Sequence, residues 1–265
     1  MMKFTTSADG TQIAYDRIGT GPRAVVFVAG ATQHRLVDSS TPETMRRLGD
    51  DFTAIIPDRR GRGQSGDTLP YSIDREIDDI AALISVVGGA AALFGHSSGA
   101  VLALDAAARD IGVTRLALYE PPLARQDGPS PDRNSYLVSL KERLKAGDRG
   151  GAVALFMTAT GMPAEAIEGM RHSPAWPALE AIAPTLAYDG TVMAEAESRP
   201  WADRWAAVTV PTLIVNGDAS FDIMEPAAAG LAAALSNATR VTLAGQGHGP
   251  DPEVLAPVLR DFLLG

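Results

Sequence analysis

An α/β fold is predicted for this 265-residue chain, with a mostly parallel eight-stranded sheet, helices on both faces and a helical cap. Three features predict it. Short apolar runs alternate with amphipathic segments over most of the length, the pattern of strand–helix units that build a parallel sheet. Several of the runs are apolar throughout, as strands covered on both faces must be. One long stretch, from Pro122 to about Pro200, loses the strand pattern and reads as helices broken by Gly and Pro.

The elements follow in order. Phe4-Thr5-Thr6 and Gln12-Ile13-Ala14-Tyr15, split by Asp9-Gly10, read as an opening β-hairpin. Ala24 to Val28 and Thr53 to Ile56 are the next strands, the second ending at Pro57-Asp58. Ile73 to Val87 has apolar residues near helical spacing and stops at Gly88-Gly89. The run Ala90 to Phe94 reads as a buried strand, with a helix from Ala100 to Arg109 behind it. Arg115 to Tyr119 is a strand halted by Glu120-Pro121-Pro122. Helical segments follow near Ser135–Lys145, Ala152–Thr160, Ala164–Met170 and Trp176–Leu186. Thr212 to Val215 and Arg240 to Leu243 are the last strands, and Glu253 to Leu264 is a closing amphipathic helix. The division is a core of residues 1–122 and 201–265 with an inserted cap of residues 123–200. Such a cap lies over the carboxyl ends of the strands, where open α/β sheets bind ligands. Met157, Met162, Met170, Met193, Trp176 and Trp201 fall in or beside it. They read mainly as packing, with some lining an apolar pocket.

Composition narrows the function. Hydrophobic residues make up 46% of the chain, enough for a sizeable core. No run approaches the ~18 apolar residues of a membrane span. Met1 to Thr5 has no apolar h-region, so a cytoplasmic location is expected. With no Cys, a thiol nucleophile and thiolate metal sites are excluded. The net charge of −9 argues against nucleic acid or an anionic membrane as partner.

The chemistry centres on Ser97, in Gly95-His96-Ser97-Ser98-Gly99 between a strand and a helix. This is the context of a nucleophile elbow, whose tight turn needs small neighbours. Ser98 begins the helix, so its N–H points toward the place where charge on a Ser97 adduct would develop. His248, in Gly245-Gln246-Gly247-His248-Gly249, follows the last strand. Its imidazole is the candidate base, able to take the Ser97 proton and return it to a leaving group.

These landmarks together resemble the α/β-hydrolases over essentially the full length, in the serine-nucleophile branch and with a likeness to actinobacterial-type hydrolases. Ala29-Gly30-Ala31 stands where the family usually has His-Gly-x. Asp58-Arg59-Arg60-Gly61-Arg62-Gly63-Gln64-Ser65 resembles the D-x-x-G-x-G-x-S loop, and Pro211 to Gly217 resembles the seventh strand. The resemblance implies an oxyanion hole from the N–H groups of Ala31 and Ser98. It also raises a question about the acid. The usual place, three residues after Gly217, holds Ser220. Some members carry the acid after the sixth strand instead, and there this chain has Glu120. Glu120 is the first candidate, Asp218 the second and Asp222 the third. Loss of the usual His at position 29 leaves the oxyanion loop without its common brace. Arg59, Arg60 and Arg62 read as an internally paired or solvated face, with contact to an acidic substrate as the alternative. His34, just past the oxyanion loop, is a candidate substrate contact. His96 is expected to pack beside the elbow, and His172 to face solvent or pack in the cap.

The resemblance implies a serine hydrolase needing neither cofactor nor metal, acting on a small hydrophobic ester or lactone through an acyl-Ser97 intermediate, as a monomer or homodimer. Ser at the elbow argues against dehalogenase and epoxide hydrolase chemistry, which use Asp there. Acyl transfer, carbon–carbon hydrolysis and perhydrolysis use the same residues and stay open. So does a non-enzymatic receptor role.

Overall fold

A computed structural model describes residues 2–124 and 132–265. Residues 125–131, at the start of the expected cap, lie outside the described residues. The strands are β1 (Lys3–Thr6), β2 (Gln12–Ile18), β3 (Arg23–Val28), β4 (Phe52–Pro57), β5 (Ala91–His96), β6 (Val113–Tyr119), β7 (Thr212–Gly217) and β8 (Ala238–Leu243). They form one eight-stranded sheet in the order β1-β2-β4-β3-β5-β6-β7-β8. β1 pairs antiparallel with β2, and β2 antiparallel with β4. Every other pairing is parallel.

Helices α1 (Ser40–Arg47), α2 (Ile73–Ser85) and α3 (Ser98–Ala107) connect the first strands. Between β6 and β7 lie α4 (Arg133–Lys145), α5 (Arg149–Ala159), α6 (Ala164–Arg171), α7 (Trp176–Ile182), α8 (Leu186–Ala196) and α9 (Trp201–Arg204). α10 (Met224–Ala234) and α11 (Pro252–Leu264) complete the chain. Period-two alternation in the central strands splits the core between two faces. Val26, Val28, Leu93, Leu116, Leu118 and Ile214 pack with α2, α3 and α10. Val25, Phe27, Phe94, Ala117, Leu213 and Val215 pack with α1 and α11. The central strands are thus apolar on both sides, and this is why they read as continuous runs.

The helices between β6 and β7 have a core of their own, including Leu140, Val153, Met157, Trp176 and Leu186. Met193 and Trp201 pack into the main core instead. The expected single helix Trp176–Leu186 is corrected: α7 stops at Ile182, a 3-10 turn spans Ala183–Thr185, and α8 starts at Leu186. Pro184 lacks the N–H that a continuous helix needs. α1 and α10 are helices absent from the predicted elements. α10 is rich in Ala, so its apolar face stands out little from its other side.

Candidate active site

The chain leaves β3 toward β4 on one side, and leaves β5 toward β6 on the other, although β3 and β5 are neighbours. This is the reversal point where open α/β sheets bind ligands, beyond the carboxyl ends of the strands. The Ala29–Ala31 loop follows β3, and Ser97 follows β5.

Ser97 has φ 55° and ψ −128°, a conformation that costs an L-residue about 1–3 kcal/mol. Its N–H donates to the Tyr119 carbonyl at 2.9 Å, and its own carbonyl accepts from the Ala100 N–H at 2.9 Å. Close approach explains the flanking glycines. A Cβ on Gly95 would lie 2.5 Å from Ala100 Cα, and one on Gly30 would lie 2.9 Å from Ser97 Cβ. A Cβ on Gly99 would fall on the carbonyl oxygens of Val28 and Ala29. Among the described residues, the non-glycine residues with positive φ are Thr32, Ser97 and Glu120. Each lies just past the carboxyl end of a parallel strand, so backbone strain gathers at one edge of the sheet.

Glu120 is fully buried. Its φ of 47° turns the chain sharply out of β6, while its N–H still donates to the Val215 carbonyl at 2.9 Å. Its Oε2 lies 2.7 Å from His248 Nδ1 and accepts from Ser220 Oγ at 2.7 Å. Its Oε1 accepts from the Gly217 N–H at 2.9 Å. Burial acts to raise the carboxyl pKa. The bonds from His248, Gly217 and Ser220 outweigh it and hold Glu120 below its ordinary value. Asp218 points elsewhere: it is exposed, and its Oδ1 accepts from the Gly245 N–H at 2.6 Å. Asp222 is exposed as well. Of the three candidate carboxylates, Glu120 is the one in contact with His248.

The His248 loop is held from below. Tyr119 Oη donates to the Gly247 carbonyl at 2.6 Å, and His96 Nε2 lies 2.8 Å from the His248 carbonyl. The His96 and His248 rings sit 4.8 Å apart between centroids. His96 therefore does more than fill space, since it ties the residue before Ser97 to the His248 backbone. Its Nδ1 lies 2.9 Å from the side-chain amide of Gln33, whose Oε1 accepts from the Gly30 N–H at 2.7 Å. Burial pulls the His96 pKa down to about 4.

The arginines after Asp58 are buried and paired, not offered to solvent. Arg59 bonds Glu76 at 2.7 Å and Asp189 at 2.7 Å, and donates to the Ala29 carbonyl at 3.0 Å. Arg62 donates to the Gly30 carbonyl at 2.5 Å and pairs with the other Asp189 oxygen. Arg60 turns away and pairs with Asp79 and Asp9. The brace missing at position 29 is thus supplied from a different loop. Asp189, on α8, also accepts from Ser98 Oγ at 2.7 Å. Gly61 and Gly63, with φ of 74° and 53°, let this loop fold Arg62 inward.

His34 is buried, its Nδ1 has no partner among the described residues, and burial lowers its pKa. His172 is exposed and lies 3.3 Å from Glu168 one turn earlier. Among the described residues no group of three or more His, Asp or Glu is placed to hold a metal ion. Gln33, Tyr119, Asp189 and Ser220 escaped the sequence reading as site residues. Only Ser220 had a signal, its place three residues after Gly217.

Comparison with known proteins gives the family. A model described as the alpha/beta hydrolase family matches residues 25–258. The chain belongs to that family. This alpha/beta hydrolase is similar to a solved alpha/beta hydrolase from Sphaerobacter thermophilus DSM 20745, with 44% identity and a TM-score of 0.87 over 98% of this chain and 99% of the other. It is 28% identical over 261 residues to a 2-(acetamidomethylene)succinate hydrolase of Mesorhizobium japonicum, covering 92% of this chain and 89% of the relative. A shorter match, 33% identical over 110 residues, links it to Lipase LipV of Mycobacterium tuberculosis, and covers only 40% of each chain.

Proposed function

We propose that this hydrolase cleaves a small carboxylic ester or lactone by a serine mechanism. Ser97 Oγ attacks the carbonyl carbon while His248 Nε2 takes its proton. The oxyanion sits on the N–H groups of Ala31 and Ser98. His248 then returns the proton to the leaving alkoxide, leaving an acyl-Ser97 ester. A water deprotonated by His248 attacks that ester, and the acid and free Ser97 result. Glu120, bonded to Nδ1, holds the tautomer that leaves Nε2 free and stabilises the imidazolium. The observation that carries the reading is the 2.7 Å pair of buried Glu120 and His248 beside the strained Ser97 turn.

The full-length relative suggests a second substrate class, an acetamido dicarboxylate. The arginine pairing favours the ester reading over it. Arg59 and Arg62 beside the elbow are committed to Glu76 and Asp189, so neither is available to a substrate carboxylate. The apolar side chains of α4–α7 beside Ala31 suit a neutral acyl group.

The test is hydrolysis of short-chain p-nitrophenyl esters and simple lactones by wild type and Ser97→Ala, with fluorophosphonate labelling alongside. Turnover and labelling in the wild type alone are expected. Labelling that survives Ser97→Ala would remove Ser97 as nucleophile. Turnover of 2-(acetamidomethylene)succinate in preference to neutral esters would favour the second class.

A further inference from the structure

Two peptide groups make up the turn after β3. In the first, the Ala29 carbonyl accepts from Arg59 and the Gly30 N–H donates to Gln33 Oε1. In the second, the Gly30 carbonyl accepts from Arg62 at 2.5 Å, and no acceptor meets the Ala31 N–H among the described residues. One end of that second peptide therefore carries a charge-assisted hydrogen bond, and the other is an open donor. A cation on the carbonyl draws electron density along the peptide and makes its N–H a stronger donor.

The cation is fixed by a side chain from the inserted helices. Asp189 of α8 holds Arg62 through Oδ2 and holds Arg59 and Ser98 Oγ through Oδ1. Thr185 Oγ1 accepts from Arg62 Nε at 3.1 Å, so the guanidinium is held on three sides. One buried carboxylate thus touches both halves of the proposed oxyanion hole, the Ser98 side directly and the Ala31 side through Arg62. Burial acts to raise the Asp189 carboxyl pKa, while the Arg59 and Arg62 charges and the Ser98 hydroxyl hold it below the ordinary value. Stability alone is a weak reason for such a cluster, because burying ion pairs returns little net free energy. Arg62 also stands at a position that the D-x-x-G-x-G-x-S pattern leaves open.

We propose that Arg62, clamped by Asp189, is a positioning residue that polarises the Gly30–Ala31 peptide and so strengthens the Ala31 N–H toward the oxyanion. This rests on the Ser97 reading above. The Asp189 clamp also makes oxyanion stabilisation depend on the docking of α8.

The experiment uses p-nitrophenyl acetate kinetics, the rate of phosphonylation by a fluorophosphonate, and inhibition by an alkylboronic acid. Arg62→Lys, Arg62→Gln and Asp189→Asn are compared with wild type and Ser97→Ala. For Arg62→Gln, kcat and the phosphonylation rate are expected to fall about 10- to 100-fold with KM within about threefold. The boronate inhibition constant is expected to rise by a similar factor, because the tetrahedral boronate fills the same hole. Arg62→Lys, which keeps the charge, is expected to recover part of the loss. A merely structural role would lower the thermal midpoint without this parallel between kcat and boronate affinity. Folded Arg62→Gln with wild-type kcat and boronate affinity would overturn the proposal while leaving Ser97 in place. If Arg62→Gln fails to fold, a wild-type boronate affinity in Arg62→Lys and Asp189→Asn together would overturn it. Wild type that neither turns over ester nor labels at Ser97 would overturn both readings.

Discussion

Glu120 joins three donors in one buried carboxylate. Glu120→Gln keeps the shape but loses the charge that favours the His248 imidazolium. The expected fall in kcat is about 10³- to 10⁴-fold with little change in KM, read beside circular dichroism as a fold control. Asp218→Asn and Asp222→Asn are expected to stay within about threefold of wild type, since neither meets His248. Ser220→Ala removes one hydrogen bond to an ionised carboxylate. An intermediate loss, about tenfold in kcat, is expected. Ser97 and His248 were legible because Gly-flanked turns after apolar runs leave a local pattern. The carboxylate was legible only as a ranking, with Glu120 ahead of Asp218 and Asp222, because Glu120 and His248 lie 128 positions apart. Gln33, Tyr119 and Asp189 carry no local mark, for their roles depend on partners brought in by other strands and helices.

The elbow is where an element decides the site. β5 ends and α3 begins within one residue, so the strand and helix pack almost without a linker. Gly99 lies against the Val28 and Ala29 carbonyls, and no side chain fits there. Gly99→Ala is expected to destabilise the protein by about 3 kcal/mol or more. A fall in thermal midpoint of roughly 5–10 °C checks this. The opposite control is Gly169→Ala on α6, where the added Cβ meets nothing within 4 Å. There the midpoint is expected to hold or rise slightly, since Ala is the better helix former. The same contrast explains which elements were readable. Central strands are apolar on both faces and announce themselves. α10 presents Ala on most sides, and α7 and α8 are separated by one proline inside a continuous apolar pattern.

Across the whole molecule, the buried titratable groups set how stability depends on pH. Burial lowers the pKa of His96 and of His34 in the folded state, so the unfolded chain binds more protons once pH falls below about 6.5. Stability from His96 is full above that value and is lost as pH falls toward about 4. Glu120 and Asp189 are shifted the same way, below their ordinary values. Their contribution is full above the unfolded carboxylate pKa of about 4 and is lost as pH falls further. The thermal midpoint is therefore expected to be level near pH 7, to decline from about 6.5 to 4, and to drop more steeply below 4. A His96→Gln variant is expected to shrink the upper part of that decline and leave the lower part intact. Thermal melts across the pH series check both limbs.

The sequence by itself determined the α/β class, the core strands, the serine elbow and the histidine after the last strand. Each is written in local terms: a two-faced apolar run, a glycine that a tight turn demands, a side chain whose chemistry is its own. Tertiary structure alone decided that Glu120 faces His248, that Ser220 bonds Glu120, and that Arg59 and Arg62 brace the turn after β3. It also decided that a carboxylate from α8 reaches Ser98. Those contacts join residues from separate strands and helices, and which groups meet is set by how the elements pack, not by the order of the chain.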